Sequence, residues 1–262
     1  MSEQFETTWL ALREPLDHRA RSRRLARRFL ENVPDEGLIA DLGAGTGSNA
    51  RYLDGVAEGP RRWRLYDANR TLLERVHGLA KNTERVAGNI RDVNALRLDQ
   101  VAGVTASALL DLVSAEWLSQ FAELCVTQKL PVLLALSVNG VIDFKPAEPE
   151  DDEIRELFAL DQKRDKGLGP ALGASAPLFA HALFETVGAN IQVTASPWQL
   201  GLEEAPVARQ FLQDMARAAA AHADQAKKDA IAGWRDRRNA QLESGDLSII
   251  VGHEDLLILP PD

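Results

Sequence analysis

The chain has 262 residues and a mass of 28.7 kDa, room for one or two domains at about 150 residues each. Apolar residues make up 45% and charged residues 26%, a globular balance that excludes a disordered tail or a fibre. The net charge of -9 and pI near 5.2 weigh against sequence-independent nucleic-acid binding, which needs a positive surface to displace counterions.

Residues 1–13 carry Glu3 and Glu6 and lack the apolar core of a secretory signal, so a cytoplasmic location is expected. Asp17, after Pro15, reads as the N-cap of a helix. Its apolar positions Ala20, Leu25, Ala26, Phe29, Leu30 and Val33 recur at helical spacing. Seven arginines lie between Arg13 and Arg28, and the stretch 34–37 stops the helix. Residues 38–42 read as a short buried strand, followed by a glycine cluster and a helix over 49–56. A second strand over 63–66, a helix over 69–80, a weak third strand over 85–90 and a fourth over 101–106 follow. A helix over 114–127 carries Cys125, the single cysteine, on its apolar face. It reads as core, and one cysteine makes neither an intrachain disulfide nor a metal site. The clearest strand is 130–138, whose apolar run falls far short of the roughly 20 residues that cross a bilayer.

The second half is less regular. Residues 147–156 are acidic and read as exposed, and 165–173 as an ordered glycine-rich loop. A helix over 174–187, a strand over 189–195, helix over 203–241 with a break at Ala232-Gly233, and strands over 247–251 and 255–259 complete the chain. Strands alternating with helices predict a parallel sheet covered on both faces.

The informative segment runs from Leu38 to Ser48, LIADLGAGTGS. A buried strand enters Gly43, Gly45 and Gly47 and then a helix, as at the carboxyl edge of an open α/β sheet where ligands bind. Glycines there let the backbone turn and let a ligand approach without meeting a Cβ. The spacing is G-x-G-x-G, not the G-x-G-x-x-G of dinucleotide sites, and Asp41 precedes it by two residues. A carboxylate there repels a pyrophosphate and suits an ammonium group. Asp67 closes the second strand, where a carboxylate accepts from both hydroxyls of a ribose.

The segment LIADLGAGTGSNARYL, with Asp67, resembles motif I of class I S-adenosylmethionine (SAM)-dependent methyltransferases. The resemblance covers residues 38–140 and extends to the rest only in general arrangement. It implies a mostly parallel, seven-stranded Rossmann-like α/β sheet with helices on both faces, plus a helical N-terminal segment and helical C-terminal additions. Residues 1–262 then form a single domain: a lid over 1–37, a SAM-binding core over 38–140, and substrate-side loops, helices and last strands over 141–262. Carried over residue by residue, Gly43, Ala44, Gly45 and Gly47 line the methionine and ribose, Asp41 acts near the amino group, and Asp67 holds the ribose. Asn89 meets the adenine, with Asp92 as its competitor, and Ile90 packs on the ring. Ser107 and Ala108 face the reactive end. The family's tight hairpin of strands six and seven is missing, since about fifty residues separate 195 from 247, which puts the end of the sheet in question.

Methyl transfer from a sulfonium needs an aligned nucleophile and, for a hydroxyl, a base. His18, Asp111 and His253 are the candidates, with Asp111 and His18 preferred. Asp111 also suits an N-cap, and His253 a turn. Arg19 and Lys166 are the candidate binders of an anionic substrate, and Trp117 and Trp198 suit either stacking on a flat substrate or the core. The signatures of base-amine, C5-pyrimidine, protein-arginine and magnesium-dependent catechol methylation are missing. A small-molecule acceptor at O, N or S is the reading that remains, with no metal. A non-catalytic SAM-binding protein is the alternative, and a dinucleotide oxidoreductase a weaker one.

Overall fold

The computed structural model describes residues 3–261, with side chains from residue 7 onward. The N-terminal segment is two helices rather than one, α1 (Glu3–Ala20) and α2 (Arg23–Glu31). They part at Arg21-Ser22, where the Ser22 hydroxyl accepts from the Leu25 N–H at 3.3 Å. Asp17, expected as the cap, lies in the last turn of α1 and accepts from Arg13 Nε and Trp198 Nε1. The apolar spacing runs through the joint uninterrupted, so periodicity does not reveal it.

β1 (Leu38–Leu42) leads through the glycine loop into α3 (Ser48–Ala57). β2 (Arg62–Asp67), α4 (Arg70–Glu74), β3 (Glu84–Ala87), β4 (Gly103–Ser107), α5 (Ala115–Thr127) and β5 (Val132–Lys145) follow. Helix α4 is shorter than expected. Asn69 caps it, and the chain beyond is tied instead by Arg51, whose Nη1 donates to the carbonyls of Thr46 and His77. The acidic stretch 147–156 is not exposed throughout. α6 (Asp151–Gln162) starts on a buried Asp151, whose carboxylate meets Arg238 Nη2 at 2.5 Å and Trp234 Nε1 at 2.8 Å.

After α7 (Ala176–Thr186), β6 (Asn190–Ala195) and β7 (Trp198–Leu200) come α8 (Ala205–Ala220) and α9 (Gln225–Ser244). These two helices part at residues 221–224, where Asp224 caps α9. Helix α9 runs through Ala232-Gly233 unbroken. β8 (Ser248–Leu259) is one strand where two were expected. Gly252 suggests a turn in sequence. A Cβ there would come within 2.7 Å of Val141 Cβ, so this glycine permits a close crossing with β5.

The sheet has eight strands in the order β3-β2-β1-β4-β5-β8-β6, with β7 pairing to β8. β1 to β5 pair in parallel, and β8 is antiparallel to β5, β6 and β7. The strand beyond the expected seven is β7, from the insertion between β6 and β8. Asn190 to Ala195 still pair with Leu259 to Glu254, so the end of the sheet is kept. The insertion's Trp198, Phe211, Met215 and Trp234 form one apolar cluster with Leu16 of α1, Phe144 of β5 and Ile154 of α6. Alternate strand residues serve the sheet's two faces. Ile39, Leu65, Leu133 and Leu257 pack with Phe29 of α2 and Leu53 of α3. Ala40, Tyr66, Val104 and Leu256 pack with Trp117 and Cys125 of α5 and Phe184 of α7, and burial pushes the Cys125 thiol up. β1 lies between β2 and β4, the switch point outside which open α/β sheets bind ligands.

Candidate active site

The glycine loop leaves β1 at this switch point. Gly43, Gly45 and Gly47 have φ of 68, 54 and 84°, the left-handed region that side chains avoid. The Ala44 N–H donates to the Tyr66 carbonyl at 2.9 Å and pins the loop to β2. Asp67, at the end of β2, accepts from the Gly45 N–H and from the Asn69 N–H, each at 2.7 Å. Gly47 lines neither cavity at the loop, and a Cβ there would press on Val76 and Leu79 at 3.2 and 3.3 Å.

Two chambers, of about 130 and 270 Å³, meet at Gly43 and Ala108. The smaller is walled by Arg13, His18 and Arg21 of the N-terminal segment and by Ala44, Gly45 and Ser107 at the strand ends. The larger is lined by Asp67, Asn89 and Ile90, with Lys166 and Leu168 of the glycine-rich loop. Ala108 belongs to both and holds a φ of 52°, a strained conformation for a residue with a Cβ.

Asp41 lies beneath the loop, fully buried, and lines neither chamber. Its Oδ1 accepts from Asn49 Nδ2 at 2.6 Å, while its Oδ2 and Asn49 Oδ1 have no partner. Burial pushes the Asp41 carboxyl up to about 7, with Asn49 and Arg21 opposing and Asp67 adding. Asn49 lines the smaller chamber and was not singled out in the sequence, where an Asn at a helix start reads as a cap. Asn89 lines the larger chamber, its Oδ1 accepting from the Arg91 N–H at 2.8 Å. Its competitor Asp92 instead caps a short 3-10 turn, Val93–Leu96. The Ile90 carbonyl accepts from Trp117 Nε1 at 2.7 Å, and Trp117 itself is core, stacked on Phe121.

His18 stands at the smaller chamber. Its Nε2 lies 3.1 Å from Ser48 Oγ and 3.2 Å from the Ser48 carbonyl, which leaves Nδ1 unused. Burial holds its pKa below the usual histidine value, with Glu14 opposing. Asp111 lines neither chamber. It sits half-buried in the 3-10 turn Leu110–Leu112, its carboxyl pushed up by burial and pulled back by Lys166 and Arg13, while Ser114 caps α5. Arg19 also lines neither chamber, and its Nη2 pairs with Glu204 at 2.8 Å.

Lys166 stands with Asp67 and Asn89 rather than with His18. The N-terminal helix and the glycine-rich loop therefore flank two adjoining chambers instead of closing over one. Asp165 shapes the loop by accepting from the N–H groups of Gly167 and Gly169, and Arg91 Nε donates to the Gly167 carbonyl at 2.8 Å. Trp198 is buried and donates to Asp17. His253 is no turn residue but a buried member of β8, its ring centroid 5.0 Å from that of Trp198. Burial, with Arg13 nearby, drives its pKa down to about 4. Arg13 and Arg21 are the wall residues hidden in the sequence, since an arginine-rich helix gives each arginine the same local signal.

Among the described residues no group of His, Cys, Asp and Glu could hold a metal ion, and no helix is long and apolar enough to cross a membrane. No family model and no curated protein sequence matches the chain. Solved structures do. A cyclopropane-fatty-acyl-phospholipid synthase-like protein from Lactobacillus casei aligns over 99% of this chain and 94% of its own, at 13% identity and a TM-score of 0.55. A protein assigned as a type II methyltransferase, from Anaeromyxobacter dehalogenans, aligns over 92% and 98%, at 12% identity and a TM-score of 0.50. Phosphoethanolamine N-methyltransferase 2 from Haemonchus contortus, solved with SAM, aligns over 91% and 51%, at 12% identity and a TM-score of 0.45. The chain has the Rossmann-like fold of class I SAM-dependent methyltransferases.

Proposed function

We propose that this chain is a cytoplasmic SAM-dependent methyltransferase that moves a methyl group to an O, N or S atom of a small, anionic metabolite. The observation that carries the reading is the Asp67–Gly45 hydrogen bond at the switch point, with unpartnered Asp41 Oδ2 and Asn49 Oδ1 beneath the same loop. These groups fit the cofactor. The larger chamber offers Asp67 to ribose hydroxyls and Asn89 and Ile90 to adenine. The smaller offers Asp41, through Asn49, to an ammonium group. Gly43, Gly45, Ser107 and Ala108 lie where the two chambers join or beside that junction.

When bound, SAM supplies a methyl group activated on a sulfonium. The protein's share is alignment, exclusion of water and management of one proton. Helix α1 walls off the smaller chamber and is held down by Glu14, which takes a two-pronged ion pair from Arg51 at 2.8 and 2.6 Å. His18 Nδ1 is the nitrogen left to accept a proton from an acceptor hydroxyl. Arg13 and Lys166 set a positive local field within a chain of net charge -9, which favours an anionic acceptor. Asp111 acts on this field from behind the chamber walls.

Calorimetric titration with SAM, S-adenosylhomocysteine and NAD tests the binding half: the first two should bind and NAD should not. Incubation with labelled SAM and a metabolite extract, read as formation of S-adenosylhomocysteine, tests turnover. Binding without turnover in any extract would leave the non-catalytic reading standing.

A further inference from the structure

Arg21 occupies the joint between α1 and α2 and is only 6% exposed. Its guanidinium makes no hydrogen bond or ion pair to any described residue, and Nε and Nη2 are fully enclosed. It lies 4.1 Å over the Tyr52 ring and lines the smaller chamber beside Gly43 and Gly45. The acids around it are Asp17, Asp41 and Asp255, and most of their oxygens are engaged elsewhere. Asp17 accepts from Arg13 and Trp198. Asp255 accepts from the N–H groups of Ser22 and Leu136 and from the Ser196 hydroxyl. Asp41 Oδ1 accepts from Asn49, and only its Oδ2 is free. A buried guanidinium with its hydrogen-bond donors idle is unstable unless something completes it.

Two sets of unmatched atoms thus lie at or just beneath one chamber: donors on Arg21 and the acceptor Asn49 Oδ1 on its wall, with Asp41 Oδ2 beneath the loop. An α-amino acid group, with a carboxylate at one end and an ammonium at the other, matches both sets. A guanidinium binds a carboxylate through paired N–H donors, which a lysine cannot reproduce. We infer that Arg21 is the partner of the α-carboxylate of the cofactor's methionine part, so that the N-terminal segment reads the amino-acid end of the cofactor. This rests on the function proposed above. It adds that Arg21 positions and selects the cofactor, discriminating against adenosine thioethers that lack the amino acid.

The test is a binding titration of the wild type, Arg21→Gln and Arg21→Lys with S-adenosylhomocysteine and with 5'-methylthioadenosine, which has no amino-acid end. Arg21→Gln should lose S-adenosylhomocysteine affinity by about tenfold or more, the scale of charge-assisted hydrogen bonds. Its affinity for methylthioadenosine should stay within about twofold, and Arg21→Lys should fall between. A melting curve gives a second readout. Free Arg21→Gln should melt no lower than the wild type, because it removes a buried guanidinium whose hydrogen-bond donors are unpaired. The rise in Tm on adding S-adenosylhomocysteine should shrink. Equal losses for both ligands, or a lower Tm without ligand, would overturn the inference by giving Arg21 a structural role. Unchanged S-adenosylhomocysteine affinity would overturn it too and assign Arg21 to the acceptor. If the wild type itself binds no S-adenosylhomocysteine, the functional proposal fails instead.

Discussion

Asp67 Oδ2 accepts from the backbone N–H of Gly45 at 2.7 Å, joining the end of β2 to the middle of the glycine loop. The carboxylate has a second task there, because it also lines the larger chamber. On the proposed function, loop shape and ligand capture are coupled through one side chain. Asp67→Ala should weaken S-adenosylhomocysteine by about tenfold or more, the scale of losing two charge-assisted hydrogen bonds. Asp67→Asn keeps one carbonyl oxygen for the loop and should lose less. Titration of both variants checks this, and equal affinity in the wild type and Asp67→Ala would remove Asp67 from the site.

Gly45 should tolerate no branched side chain. Its φ of 54° is left-handed, and an added Cβ would lie 3.3 Å from Leu10 Cδ1 of α1. Gly45→Val should abolish cofactor binding. Backbone strain of about 1–2 kcal/mol should lower Tm by several degrees without unfolding the chain. Circular dichroism and titration on one sample separate the two effects. Native affinity in a folded Gly45→Val would show that the loop is not the binding site.

The buried pair Asp151–Arg238 has no part in the cleft and should govern the stability of the insertion. Both side chains are nearly sealed from solvent, and Trp234 shares the carboxylate. Removing one partner leaves the other charged in the core, so Asp151→Ala or Arg238→Ala should each lose about 3–5 kcal/mol. Replacing both, as Asp151→Leu with Arg238→Met, should recover much of that loss. Urea unfolding of the four proteins measures it, and a double variant no more stable than either single one would deny the coupling.

The strand–loop–helix unit was legible because its information is local. Buried apolar runs, three glycines and two acids fix Leu38 to Asp67 without help from distant residues. Asn89, expected within a strand over 85–90 and singled out only through the resemblance, lies two residues beyond β3 and lines the larger chamber. What lay hidden depends on partners far apart in sequence. Asp151 looks like part of an acidic surface until Arg238 arrives from 87 residues away. Asp17 looks like a cap until Trp198 takes its oxygen. The Arg21-Ser22 joint is set by Asp255, whose carboxylate holds the Ser22 N–H at 2.7 Å. The same joint decides that Arg21 faces the cleft while Arg19, two residues earlier, pairs outside with Glu204.

On the proposed function, Asp41 should make cofactor binding depend on pH. Burial raises its carboxyl to about 7 in the free protein, against 3.8 for the unperturbed group. The raised pKa means that the neutral form is favoured by folding. Its stabilising contribution is full below the unfolded value and is lost as pH climbs through about 7. Ligand binding has the opposite demand, because an ammonium group near Asp41 and Asn49 favours the carboxylate and lowers that pKa. Binding must then release a proton wherever Asp41 is still protonated. Affinity for S-adenosylhomocysteine should rise with pH from 5.5 to about 7 and level off above. The slope should approach one decade per pH unit at the acid end, as for any single linked proton. His18 also stands at this chamber, its pKa held below the usual value by burial, so Asp41→Asn separates the two groups' contributions. Asp41→Asn should bind more weakly at pH 8 and lose the rise near pH 7. Titrations in buffers of different ionisation enthalpy count the released proton directly, and a flat wild-type profile with no proton released would show that Asp41 does not meet the ligand's charge.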